Sequence, residues 1–149
     1  MSMTVDIGIQ TLTIGVESGG KMEYLTDVQA LLITAVLLQL KHWIADFVLQ
    51  TDKMIVEKGV YGSSYGVYHS VIHAVGTFLA FFWVHPIIAV ATAIIDFILH
   101  YHIDWAKINI NKKYNYTPKD AKFWYWLGAD QMLHQYTYII LLGWVFLFF

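Results

Sequence analysis

Nine side chains able to bind metal recur along this 149-residue chain at a spacing of four. They are His42 and Asp46, His69 and His73, the triple Asp96, His100 and Asp104, and Asp130 and His134. Residues four apart stack on one helix face, so each set forms a short column of carboxylates and imidazoles. Such ligands suit zinc, manganese or iron, and no thiolate competes because the chain has no cysteine. Five His and four Asp exceed the coordination sphere of one ion. They point to two divalent ions, with spare groups orienting the ligands.

The elements that must position these columns look like membrane spans. The chain is 58% hydrophobic and 13% charged, against about 25% charged in soluble domains. Four helical spans fit residues 28–50, 61–84, 86–107 and 123–149, each near or above the ~20 residues that cross a bilayer. The expected fold is an all-α membrane protein, a four-transmembrane-helix bundle over residues 27–149. Pro86 suits a helix first turn, and His85-Pro86 makes the second connection tight, so the second and third spans are antiparallel neighbours. Residues 1–26 form an extension in which apolar and polar residues alternate around Val5, Ile7 and Ile9, then Leu12, Ile14 and Val16. A β-hairpin ended by Gly19-Gly20 fits that pattern.

Lysine placement orients the bundle. Lys53 and Lys58 follow the first span; Lys112, Lys113, Lys119 and Lys122 follow the third, with Lys107 at its edge. The opposite side offers Lys21. By the positive-inside rule the two lysine-rich connections are cytoplasmic, placing both termini outside, across a bacterial inner membrane. All nine ionisable residues then share one slice, the cytoplasmic half. The other half reads as hydrocarbon, in "ALLITAVLL", "GTFLAFFWV" and "YIILLGWVFLFF". A lone Asp at mid-membrane costs about 2.5–3.5 kcal/mol, so these groups must face each other, water or a cation. Asp–His pairs that merely join helices are the simpler reading. Interhelical polar bonds contribute only about 0.6 kcal/mol each on average, a poor return for nine ionisable groups.

Other residues rank lower. His102 lies on a different face from His100, and His85 sits in the outer turn. Gln50, Tyr65 and Tyr138 extend the columns, where they support ligands or simply pack. Trp105, Trp124 and Trp126 read as interface aromatics, and Lys41 as a side chain snorkelling to the cytoplasmic surface. A net charge of −2 without a basic patch gives no reason to expect nucleic acid. All nine basic residues are lysine, which removes the arginine fork as a phosphate clamp.

The motif H-x3-D-F-x-x-Q, here His42, Asp46, Phe47 and Gln50, resembles the opening motif of a family of small bacterial and phage integral membrane proteins of unknown function. The H-x3-H, the D-x3-H-x3-D and the D-Q-x-x-H near the C-terminus look similar too, covering roughly residues 30–140. More distantly, the layout resembles bacterial membrane-bound metal-dependent hydrolases, by architecture alone. The expected activity is hydrolysis of a phosphoester or lipid-like substrate, with an Asp not committed to metal, Asp104 or Asp130, as general base. Membrane lipids are the expected surroundings, and a homo-oligomer is left open. A di-iron membrane oxidoreductase is the alternative, although the slice lacks the Glu of soluble di-iron bundles. Metal or proton transport would need polar groups through the apolar half, unless an oligomer completes a path. A non-enzymatic phage or bacterial membrane interaction protein is the remaining reading.

Overall fold

The computed structural model describes residues 15–18, 21–24 and 27–149. Strands β1 (Gly15–Ser18) and β2 (Lys21–Tyr24) pair antiparallel, Val16 opposite Glu23. The alternation around Val5 to Ile14 and the Gly19-Gly20 turn lie outside the described residues.

The rest is helical. Helix α1 (Asp27–Trp43) runs directly into a π-helical turn, Ile44–Val48. A short helix α2 (Asp52–Glu57) follows, which the apolar periodicity does not announce; Thr51 caps it, its Oγ1 accepting from Met54 N–H. The long helices α3 (Ser64–Phe82), α4 (Pro86–Tyr114) and α5 (Ala121–Phe148) complete the chain. His85 caps α4 through Nδ1, and Pro86 occupies its first turn, so α3 and α4 are joined by three residues. At its far end α4 outlasts the expected span and carries Lys107, Lys112 and Lys113 before Asn115, whose φ of 54° stops the helix. Helix α3 packs on α4, α4 on α5, α5 on α1 and α1 on α3, closing a ring of four long helices.

Burial within the ring follows helical spacing with an inverted composition. On α1 the inward positions are Ala30, Thr34, Leu38 and His42, each four apart. The exposed ones include Val28, Leu32, Val36 and Leu40. On α4 the inward stripe holds Thr92, Asp96, His100 and Asp104, while Ile87, Val90, Ile94 and Ile98 face out. Apolar exteriors around polar interiors are what helices immersed in hydrocarbon require. Polar groups gather toward one end of the ring. The other end is sealed by Leu38, Phe81, Ile88, Ala89, Tyr138, Leu141, Leu142 and Val145.

Three segments are long and apolar enough to cross a membrane: Asp27–Val48, Ser64–Phe82 and Pro86–Tyr114. Helix α5 has the length, at 28 residues. Lys122, Asp130, Gln131, His134 and Gln135 dilute the hydropathy of its first half, so it does not stand with the other three.

Candidate metal centre

The π turn aims the first ligand. Leu49 N–H donates to Ile44 O, five positions back, at 2.9 Å, so the helix widens around Asp46. Such turns recur at functional sites. The carboxylate faces two ways. Its Oδ2 lies 3.2 Å from His42 Nε2 on its own helix; its Oδ1 lies 3.2 Å from His69 Nε2 and 3.3 Å from His73 Nε2 on α3. Gln50 Nε2 donates to Asp46 O at 2.8 Å and holds the turn.

Helix α4 supplies the opposite wall. Asp104 Oδ2 lies 3.2 Å from His69 Nε2 and 3.5 Å from His100 Nε2, and its Oδ1 lies 3.9 Å from His134 Nε2 on α5. The rings of His73, His100 and His134 form a stacked file, with centroids 3.6 Å and then 4.1 Å apart.

Two groups of ligand atoms result, Asp46 with His69, His73 and His100, and His100 with Asp104 and His134. Within each, one ligand atom per residue lies within 4.8 Å of the others. His100 belongs to both. A tetrahedral ion with ligands at ~2.0–2.1 Å sets neighbouring ligand atoms roughly 3.3–3.4 Å apart. Three of the contacts within these groups, at 3.2, 3.3 and 3.5 Å, match that edge. Nor do they have the geometry of hydrogen bonds. Asp46 Oδ1, Asp104 Oδ2 and the Nε2 atoms of His69, His73, His100 and His134 are buried without a hydrogen-bond partner. A buried polar atom left so costs about 1–3 kcal/mol; one cation in each group would satisfy these atoms. The residues fit divalent metal.

The other three sequence candidates lie outside both groups. His42 joins the outer layer, Nδ1 to Tyr138 Oη at 2.8 Å and Nε2 to Gln131 Oε1 at 3.0 Å. Asp96 accepts from Lys41 Nζ and from Thr77 Oγ1, each at 2.7 Å. Asp130 pairs through Oδ2 with Lys107 Nζ at 3.3 Å, while its Oδ1 is 3.6 Å from His134 Nε2.

Lysines are what the sequence reading missed. Lys41 does not snorkel to the surface. Its stem crosses Gly76 on α3, where a Cβ would come within 3.0 Å of it. Its ammonium then turns inward to Asp96, 4.6 Å from the Tyr138 ring centroid. Lys58 reaches in from the connection after α2, its Nζ 3.1 Å from Asp104 Oδ2 and 2.7 Å from Gln50 Oε1. With Lys107, three ammoniums face three of the four carboxylates. The signal for Lys41 and Lys107 was their place inside or beside an apolar span, one residue before His42 and three after Asp104. Lys58 had none.

Peripheral residues fall as follows. Tyr138 and Gln50 touch the centre's side chains as described. Tyr65 lies under Lys53 instead. His102 is exposed, its Nδ1 on Ile98 O and its Nε2 near Tyr61 Oη. Trp105 packs on Tyr61, and Trp124 donates to Pro118 O.

No curated protein and no solved structure matches the chain. A family model described as "Protein of unknown function (DUF3307)" matches residues 32–148, a stretch that includes every residue of the two ligand groups. The chain belongs to the DUF3307 family.

Proposed function

We propose that this protein is an integral membrane hydrolase that uses two divalent ions, zinc, manganese or iron, to cleave a phosphoester carried by a lipid-like molecule. In this reading α5 crosses the bilayer with the other three long helices. The lysine-rich connections face the cytoplasm of a bacterium, and both termini lie outside. The observation that carries the reading is the pair of ligand groups sharing His100. Two ions joined through common ligands are the usual arrangement for displacement at phosphorus.

Divalent ions here would supply Lewis acidity and a water acidic enough to act as nucleophile near neutral pH. Asp46, His69, His73, His100, Asp104 and His134 would hold them. Asp104 is thereby committed, which leaves Asp130 as the base, with one carboxylate oxygen lacking a hydrogen-bond partner. It takes a proton from water as the water oxygen bonds to phosphorus. The bond from phosphorus to the ester oxygen breaks, and the proton passes to that oxygen, releasing an alcohol and inorganic phosphate. Tyr138 and Gln131 hold His42, which in turn supports Asp46.

The test is hydrolysis of p-nitrophenyl phosphate and of a phosphatidate by the full chain in detergent, before and after metal loading. Metal-dependent release of phosphate that a chelator abolishes is the expected result. Iron loading that yields oxygen consumption and no hydrolysis would move the protein to the di-iron oxidoreductases. Inertness with every metal would leave an interaction protein.

A further inference from the structure

The three inward lysines are not equivalent. Lys41 is committed to Asp96, which Thr77 also holds, and it donates further to His73 O at 3.3 Å. Lys107 pairs with Asp130. Neither carboxylate belongs to a ligand group. Among the described lysines, only Lys58 stands on an oxygen of a candidate ligand. Its Nζ is 3.1 Å from Asp104 Oδ2, the oxygen that His69 Nε2 approaches to 3.2 Å and His100 Nε2 to 3.5 Å. A divalent ion and an ammonium cannot share that oxygen without strong repulsion.

The backbone of Lys58 is pinned while its side chain is aimed inward. Asn109 Nδ2 donates to Gly59 O at 2.9 Å, and a Cβ at Gly59 would meet Ile108 Cγ2 at 2.2 Å. A Cβ at Gly66 would stand 3.1 Å from Lys58 Cα, so a glycine on α3 also lets the connection approach. Apart from Asp104, the ammonium touches only the neutral Gln50 Oε1 among the described contacts. Metal arrival at Asp104 therefore weakens the one anionic contact that this buried ammonium has among the described residues.

Charge fixes what the partner is. Asp46, Asp96, Asp104 and Asp130 against Lys41, Lys58 and Lys107 leave one negative charge, and His100, which belongs to both groups and has neither ring nitrogen hydrogen-bonded, would add a second as an imidazolate serving both ions. Two divalent ions turn that into two positive charges in a low-dielectric interior. A phosphate monoester dianion removes that excess; a neutral ester or amide would not. The centre is least covered at Asp46, whose backbone carbonyl is held by Gln50, the residue that also contacts Lys58. Asp46, 9% exposed, is the most open of the nine side chains, and Phe47 and Val48 next to it face outward.

We propose that Lys58 is the anion-binding residue of this centre and that its ligand is a terminal phosphate monoester. This rests on the two-metal reading above. The phosphate comes from a phosphorylated lipid headgroup or from a soluble phosphate, and the test separates the two.

The test uses the full chain in phosphatidylcholine nanodiscs loaded with Mn2+, reading metal content and the 31P linewidth of inorganic phosphate. Manganese-dependent broadening is expected in the wild type. Lys58→Met should require roughly tenfold more phosphate or more for the same broadening, at unchanged manganese content, and Lys58→Arg should stay close to wild type. Equal phosphate dependence in wild type and Lys58→Met overturns the proposal. If Lys58→Met does not fold, the wild type decides, since linkage requires phosphate to tighten manganese binding. Manganese affinity indifferent to phosphate overturns the proposal. Failure to take up manganese without phosphate overturns the two-metal reading itself. In nanodiscs containing phosphatidate, broadening of its resonance at lower ligand concentration than inorganic phosphate assigns the lipid; the reverse order assigns the soluble phosphate.

Discussion

Lys41 and Asp96, on different helices, form an ion pair at 2.7 Å in the interior of the helix ring. Asp96 is buried and Lys41 nearly so, with 9% of its side chain exposed, and Thr77 and the His73 carbonyl complete their contacts. A buried pair is worth little over a well-packed apolar replacement, but half a pair is expensive. Asp96→Leu alone should therefore destabilise the protein by about 3–5 kcal/mol. Combining it with Lys41→Met should recover most of that loss. Thermal unfolding in detergent measures both. Equal stability of the single and double variants would mean that the lysine finds water instead.

The two ligand groups are separable by substitution. His73→Ala touches only the group built on Asp46, and His134→Ala only the one built on Asp104. Each should leave one ion per chain, and the pair of substitutions together none. His102→Ala, on an exposed residue bonded to its own helix, should leave metal content unchanged. Elemental analysis of the purified variants reads all four outcomes.

Gly59 allows the α2 connection to lie against α4. A methyl group there would overlap Ile108 Cγ2 at 2.2 Å, so Gly59→Ala should destabilise by about 1–3 kcal/mol through overpacking. Ile108→Ala added to it should restore part of the loss by removing the obstructing atom. Denaturation in detergent distinguishes this from a general effect of alanine in the connection, which the second substitution would not relieve.

How far the sequence reached follows from which interactions are local. The columns four residues apart were legible because α-helical geometry alone stacks His69 on His73 and Asp96 on His100. Their common depth followed from alternating helix direction. The division into ligands and supports was not legible. Asp96 and Asp104 occupy equivalent places in one motif and each faces a lysine; what tells them apart is that His69 and His134, on other helices, surround Asp104. The inward turn of Lys41 depends on Gly76, thirty-five residues away, which makes room for its stem. Nor does the apolar pattern reveal that the helix carrying Asp46 widens into a π turn. That widening replaces a simple column on α1 with a carboxylate shared between His42 and α3.

His100 is the residue on which the dinuclear reading turns, because it alone belongs to both groups among the described residues. The most direct measurement is the metal content of the full chain, wild type against His100→Ala, after loading with zinc or manganese and removal of excess. Two ions per wild-type chain and substantial loss at both positions in the variant are the expected result. A wild type that retains no ion, or a His100→Ala protein that retains both, would contradict it.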